Sequence, residues 1–446
     1  MTRRNSHLLR LLCTGILSVG FMAAQAQQPE ETPAPDNQLD VDLQFFTRGE
    51  IRSGALPSST GSENSEDQSK FILGRTRLII DYKKSFLEAK VNMQHSGVWG
   101  QSGKGAFNLY EAWAKLNAPN GLFLQVGRQA LAYDDERIIG LNDWAMAGMS
   151  HDVVRAGYEG HGHKVHAIYA FNQNAENMTN GSTYYVNGAQ PYKTMQTLWY
   201  NYTFRPIPLT ASLLFMNIGM QKPEEIKEPK TKYQQLIGTY IAYQPKHWTV
   251  KGSYYHQMGR DEMGSKLDAW MANIKVDYLP ADNYGFTAGY DYLSGDENFA
   301  VPQGGMIGMT YHKVLNGFNP VYGSHHKFYG AMDFFYVSTY VNGFTPGLQN
   351  LFVGGMWEPI PKLTFSAKYH YFATASKLKD VDKTLGHEIE VQASYRPLRE
   401  VNLSAGYCFM AGTKTMEFLK RANDQGNLRW LWLSLSISPR IFSVKW

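Results

Sequence analysis

Cysteine is almost missing from this chain of 446 residues, which carries only Cys13 and Cys408. Cys13 falls in an apolar stretch that reads as part of a secretory signal, so a single thiol, Cys408, remains for the rest of the protein. One thiol makes no intramolecular disulfide, and a fold exported to an oxidising compartment must be held by other means. Long hydrophobic runs are missing as well. Beyond the N-terminal stretch nothing approaches the roughly 18 uncharged apolar residues of a spanning helix, and the mean hydropathy of -0.38 excludes a bundle of such helices. Charge of one sign is scarce: a net +4 is too mild to mark a nucleic-acid binder. No interior Pro/Ser-rich linker breaks the chain, so a single large unit fits better than two or three domains.

What is present begins with Met1-Thr2-Arg3-Arg4, an apolar run from Leu8 to Ala24, and Ala24-Gln25-Ala26. That is the order of a signal peptide, residues 1–26, with cleavage expected after Ala26. Residues 27–38 read as a flexible N-terminal segment and 39–446 as the folded unit. Aromatics make up 14% of the chain and glycines number 41, a composition suited to many strands joined by tight turns.

From Leu39 onward, apolar and polar residues alternate over segments of about ten positions, about 18 times, which is the signature of membrane-spanning strands. In one such segment Leu87, Ala89, Val91 and Met93 point one way while Glu88, Lys90, Asn92 and Gln94 point the other. The links alternate between short and long. Short ones carry turn residues, as in Pro119-Asn120-Gly121, Gly160-His161-Gly162, Pro206-Ile207-Pro208 and Pro359-Ile360-Pro361; long ones are polar, as in 54–68, 173–194 and 221–232. That asymmetry separates a transmembrane barrel from a soluble sandwich. Hydrocarbon leaves no orphan backbone group unpunished, so the sheet must close. The expected fold is therefore all-β: a transmembrane antiparallel up-and-down β-barrel of about 18 strands with short periplasmic turns and long extracellular loops. Leu431, Leu433, Leu435 and Ile437 form a lipid-facing stripe, and the chain ends Phe442, Val444, Trp446, an aromatic-terminated strand suited to recognition by barrel assembly machinery.

Glu111-Ala112-Trp113, Val126-Gly127-Arg128-Gln129, the run Tyr133 to Gly140, Asn142-Asp143-Trp144 and Asp152-Val153-Val154-Arg155 together resemble the alginate-export family of outer-membrane barrels. Ser294-Gly295-Asp296, Phe318-Asn319-Pro320, His326 to Gly330, Asp333 and Leu385 to Glu390 extend the resemblance along nearly the whole chain. One departure is Asp134, where the pattern has a glycine after Tyr133. The resemblance implies 18 strands around an electropositive constriction for a uronic-acid polymer or another anion in a Gram-negative outer membrane, in contact with lipid and lipopolysaccharide.

Strand parity tests that implication, sending Arg48, Arg52, Arg75 and Arg77 inward on the first two strands, followed by Lys90, Lys115, Arg155, Lys193, Lys251, Lys275 and Lys368. Guanidinium forks hold carboxylates bidentately, so these residues, with Arg128, are the expected pore and solute contacts. Parity sends Arg128 towards lipid, so as a pore contact it requires a bulge, and otherwise a place at the rim. Carboxylates fall inward too, among them Glu50, Asp81, Glu88, Glu111, Asp291, Glu388 and Glu390, so each basic residue has a competing role as one half of a cross-strand pair. The long segments 134–150 and 297–350 are expected either to fold into the lumen, with Arg137, Asp143, Trp144 and Asp152 at the constriction, or to lie outside as surface loops. His161, His163, His166, the pair His325-His326 and Ser150-His151 lack ligand or triad spacing, and no nucleotide, protease or hydrolase motif appears, so neither metal, cofactor nor catalysis is expected. The expected function is a channel for anionic solutes or uronate oligosaccharides. The alternatives are a general diffusion porin without anion preference, and an enzyme or surface-binding barrel with a plugged lumen.

Overall fold

The structure, a computed structural model, describes residues 36–53, 68–101, 105–174, 176, 185, 188–222, 230–296, 314–335, 345–378, 381–420 and 427–446. The signal peptide expected over 1–26, most of 54–68 and the Gly304–Gly305 portion of the last long loop lie outside these residues.

Strands form where the period-two pattern runs: β1 (Gln38–Ser53), β2 (Ser69–Lys84), β3 (Leu87–Val98), β4 (Ala106–Asn117), β5 (Leu122–Gln129), β6 (His151–Gly160), β7 (His163–Phe171), β8 (Thr194–Thr203), β9 (Leu209–Met220) and β10 (Lys232–Tyr243). They continue as β11 (Trp248–Arg260), β12 (Lys266–Ala281), β13 (Tyr284–Leu293), β14 (Val314–Leu315), β15 (Leu348–Ile360), β16 (Leu363–Ala373), β17 (Thr384–Leu398), β18 (Val401–Gly412), β19 (Asn427–Ile437) and β20 (Arg440–Lys445). The two-residue β14 pairs with the start of β12, and β13 pairs directly with β15. β19 and β20 are one stave broken at Ser438–Pro439, both lying against β1. Each remaining neighbour is antiparallel, and the result is a closed barrel of eighteen staves.

Pro439 has no N–H for the ladder, yet its carbonyl accepts the Leu43 N–H at 3.0 Å, which keeps the seam paired. Asn37 and Trp446 exchange backbone hydrogen bonds of 3.0 and 3.1 Å. The segment expected to be flexible up to residue 38 is thus tied into the sheet at Asn37 and Gln38. The expected parity is seen directly: Leu431 and Leu433 are exposed on the outer wall while Trp430, Trp432 and Ser434 are buried.

Parity alone predicts a polar inner wall, and on β8 to β12 the structure differs. Met195, Trp199, Leu214, Met216, Ile218, Leu236, Tyr255 and Met271 face inward and are buried. The reason is that the lumen holds a core. Leu131, Tyr133, Ile138 and Ile139 from the β5–β6 loop, with Phe318, Tyr322, Tyr329, Met332 and Phe335 from the segment before β15, pack on that wall in one buried cluster. Burying each such side chain is worth roughly 1.5–3 kcal/mol, so both segments are held inside the barrel by ordinary hydrophobic packing.

Candidate functional site

The β5–β6 loop turns into the lumen through a run of left-handed residues: Asp134 (φ 55), Glu136 (φ 69) and Asn142 (φ 47). Asp and Asn tolerate that region best among non-glycines. Asp134 therefore holds this left-handed conformation without being a glycine, and its carboxylate adds an anchor. It accepts the Trp199 indole N–H at 3.1 Å and the Ser212 hydroxyl at 2.5 Å. Burial pushes this carboxyl up to about 6 against the opposing pull of the Ser212 and Trp199 hydrogen bonds.

The second segment meets the first backbone to backbone. Ile139 bridges Tyr322 in parallel, Tyr322 N–H donates to Ile138 O at 3.1 Å, Gly140 N–H donates to Tyr322 O at 2.9 Å, and Ser324 N–H donates to Glu136 O at 2.9 Å. Approach this close requires glycine: a Cβ on Gly140 would strike Ser324 Oγ, and one on Gly323 would strike the Arg137 carbonyl. Beside the bridge Val321 holds φ 41, a costly conformation for a β-branched residue that the surrounding bonds maintain.

Wall residues clamp this assembly. Arg75 grips the Asp143 carboxylate with both terminal nitrogens, at 3.0 and 3.1 Å, and Arg77 reaches the same group at 2.9 Å. Arg48 donates to Trp144 O at 3.1 Å and Gln94 to Ala147 O at 3.0 Å. On the far side Arg137 pairs with Asp291 of β13 at 2.9 Å and with Asp135 at 3.1 Å. The second segment is held by Glu388, which accepts the Ala331 and Met332 N–H groups at 2.6 and 3.2 Å, and by Asn350, which donates to Phe328 O at 2.9 Å.

Of the residues expected at the constriction, Arg137, Asp143 and Trp144 are there. Asp152 is not. It lies on the outer face at the long-loop rim, paired with Arg128 at two 2.7 Å contacts. This corrects the expected placement of Arg128 among the pore contacts: it keeps the outward parity of Leu122, Leu124 and Val126, and the rim carboxylate accommodates its charge.

In the arginine cluster of the first two strands the competing role, pairing with carboxylates, is the one seen. Arg48 and Arg52 share Glu50 at 2.7 and 2.9 Å, and Arg75 and Arg77 share Asp143, so the inward guanidiniums are already paired. Lys90 sits 3.8 Å from Asp81 and 3.5 Å from Glu111, and Lys115 sits 3.7 Å from Glu88. Arg155 donates to Gln125 at 2.5 Å, and Lys193 is buried, donating to Asn172 O at 2.6 Å. Lys275 faces the lumen beside Asp277 at 3.0 Å. Three of the candidate histidines are hydrogen-bonded within the fold: His166 bridges Glu159 at 2.9 Å and the Tyr133 hydroxyl at 3.0 Å, while His163 and His151 share hydrogen bonds with Tyr200 and Tyr192, respectively. Cys408 is a buried free thiol.

Beneath the two inward segments, towards the short-turn end, lies a cavity of about 590 Å³. Trp144, His326, Lys327 and Ala331 roof it, and Lys251, Lys275, Lys368, Thr249, Thr287 and Gln392 are among its walls. Sequence reasoning named Lys251, Lys275 and Lys368 by parity but missed Lys327 and the role of Asp134, because contacts between loop and wall leave no local pattern.

Residues 89–388 match the sequence pattern of the alginate-export family. The chain belongs to that family. No curated protein matches it in sequence. Among solved structures the alginate-export barrel is similar to Pseudomonas aeruginosa OccK5 (OpdH), at 14% identity and TM-score 0.57, with 91% of this chain and 99% of that one covered. P. aeruginosa OpdQ gives 15% identity and TM-score 0.59 over 91% and 98% of the two chains. Acinetobacter baumannii OccAB4 gives 12% and 0.59 over the same shares. At these identities the likeness is one of fold, and it agrees with the eighteen-stave barrel. Family and fold are those of outer-membrane channels, not of enzymes.

Proposed function

We propose that this alginate-export barrel is a passive channel of the Gram-negative outer membrane that selects anionic solutes, uronate oligosaccharides among them, at the constriction built by its two inward segments. The observation that carries this reading is the pairing of the segments inside the closed barrel above a cavity where Lys251, Lys275, Lys327 and Lys368 stand against Asp277 and Glu390. Lys327 is paired with Glu136 at 2.5 Å, so three wall ammonium groups against two carboxylates leave a local excess of one positive charge, and in a water-filled lumen with low-dielectric walls such an excess favours anions. Short turns lie at the periplasmic end, long loops and the Arg128–Asp152 rim face lipopolysaccharide, and residues 1–26 serve as the export signal. Trp446, hydrogen-bonded to Asn37 at the seam, presents the terminal aromatic to the assembly machinery.

Reversal potentials in planar bilayers under a salt gradient test the reading. Anion preference supports it; cation preference overturns it, as does zero conductance. The apolar packing within the lumen favours one second reading, a plugged barrel whose outer loops do the work. Zero conductance together with glycan or lipid hydrolysis by the pure protein would establish that alternative.

A further inference from the structure

The cavity below the constriction contains two lysines in an arrangement that sheet pairing does not favour. Lys251 of β11 lies directly opposite Lys275 of β12. Opposed residues of antiparallel strands have Cβ atoms about 5 Å apart, and like charges there work against the pairing. Asp277, 3.0 Å from the Lys275 ammonium, answers one of the two charges. Lys251 has no ion-pair or hydrogen-bond partner among the described residues, whereas Lys90, Lys115 and Lys368 each have a carboxylate.

The next row along the same strands runs Thr249, Asp277, Thr287. Thr287 lines the cavity, and its Oγ1 is buried without a hydrogen-bond partner among the described residues. Two adjacent ammonium groups with a free hydroxyl beside them match one carboxylate, which has about four lone-pair sites to fill. Lys368 stands on another wall of the same cavity, 3.2 Å from Glu390. The volume of about 590 Å³ suits a small multivalent anion.

We propose that Lys251 and Lys275, with Thr287, form an anion site that receives a carboxylate of the solute on the short-turn side of the constriction, and that Lys368 takes a second carboxylate of the same molecule. The ligand class is a polycarboxylate, either successive uronates of an oligosaccharide or a free organic polyacid. The inference rests on the reading of the protein as an anion channel and assigns the capture step to lysines that are distinct from the internally paired arginine belt.

The test uses the full-length protein in detergent micelles, titrated calorimetrically with trigalacturonate and separately with citrate, alongside current block in bilayers. The double variant Lys251→Gln, Lys275→Gln is expected to weaken binding by about tenfold or more. Lys251→Arg is expected to retain it, and Lys362→Gln on an exposed turn to leave it unchanged. Heat-modifiable gel mobility confirms that each variant is a folded barrel. Loss for trigalacturonate alone supports an oligosaccharide site, and loss for both ligands supports a general polyacid site. Equal binding by wild type and double variant overturns the site, as does failure of the wild type to bind either ligand, even if the channel remains anion-selective. Conversely, a channel without anion preference whose citrate binding still depends on Lys251 and Lys275 overturns the selectivity reading and leaves the site standing.

Discussion

Trp144 and His326, from segments far apart in the sequence, stack with ring centroids 4.1 Å apart and planes 7° from parallel. The Arg48 guanidinium lies 3.9 Å from the Trp144 centroid, and Trp430 and Trp432 meet the indole edge-on at 5.7 and 5.3 Å. One indole therefore joins both inward segments to the wall at β1 and β19.

Trp144→Ala should unlock that junction at a cost to docking of the segments below the roughly 3–5 kcal/mol of a fully buried tryptophan, since the indole is only partly buried. The barrel itself should survive, since its ladder does not involve the indole. Single-channel recordings should show higher conductance with added flicker, and unchanged traces would refute the role given to Trp144.

Asp143→Asn removes the carboxylate shared by Arg75 and Arg77. Both guanidiniums are nearly buried while Asp143 is about half exposed, with side-chain exposures of 3%, 7% and 46%. Solvent screening at Asp143 limits the stability loss to roughly 1–3 kcal/mol. The larger consequence is electrical, because one negative charge leaves the constriction. Reversal potentials should move towards stronger anion selectivity; a shift towards cations would contradict the geometry.

Arg137 and Asp291 form a pair with side-chain exposures of 3% and 1%. Arg137→Ala leaves Asp291 unpaired in the interior and should cost about 3–5 kcal/mol in docking of the loop. The double change Arg137→Met, Asp291→Leu should recover much of that loss, because it removes both desolvated charges together. Limited proteolysis of the β5–β6 loop reads the difference, and equal cleavage of the single and double variants would discount the ion pair.

Asp134 gives a pH dependence whose sign follows from burial. Its carboxyl is raised from 3.8 to about 6 in the docked loop. A group raised on docking favours the docked state below its free value and loses that contribution as pH rises through the docked one. Loop docking should thus weaken between about pH 4 and 6, and channel noise should increase over the same window. Asp134→Asn should flatten the dependence while preserving acceptance of the Trp199 and Ser212 donors by its amide oxygen. Noise that falls with rising pH would reverse the assignment.

The barrel was legible because parity is a local property: each strand states its own inward and outward faces, as Leu431 and Leu433 do against Trp430 and Trp432. The fate of the arginines was not. Arg75 and Arg77 are quenched by a carboxylate on a distant loop, and nothing near either end of that contact marks the other. The same limit hid the apolar inner wall, since Met216 and Ile218 on β9 read as a strand with two greasy faces until the packed segments that cover one face are known. Lys251 and Lys275 stood on the correct face in the sequence, but their direct opposition depends on register, which alternation leaves undetermined.

The seam between β1 and the β19–β20 stave joins residues 409 positions apart, as the Asn37–Trp446 contact shows. Contacts of such separation carry the largest loop-closure entropy in the chain. The core of the lumen is anchored to strands that pair through much shorter connections, Asp134 to β8 and β9 and Arg137 to β13. The seam is also bridged from inside, because Trp144 packs on Arg48 of β1 and on Trp430 and Trp432 of β19, so the closed wall and the seated loop hold each other in place.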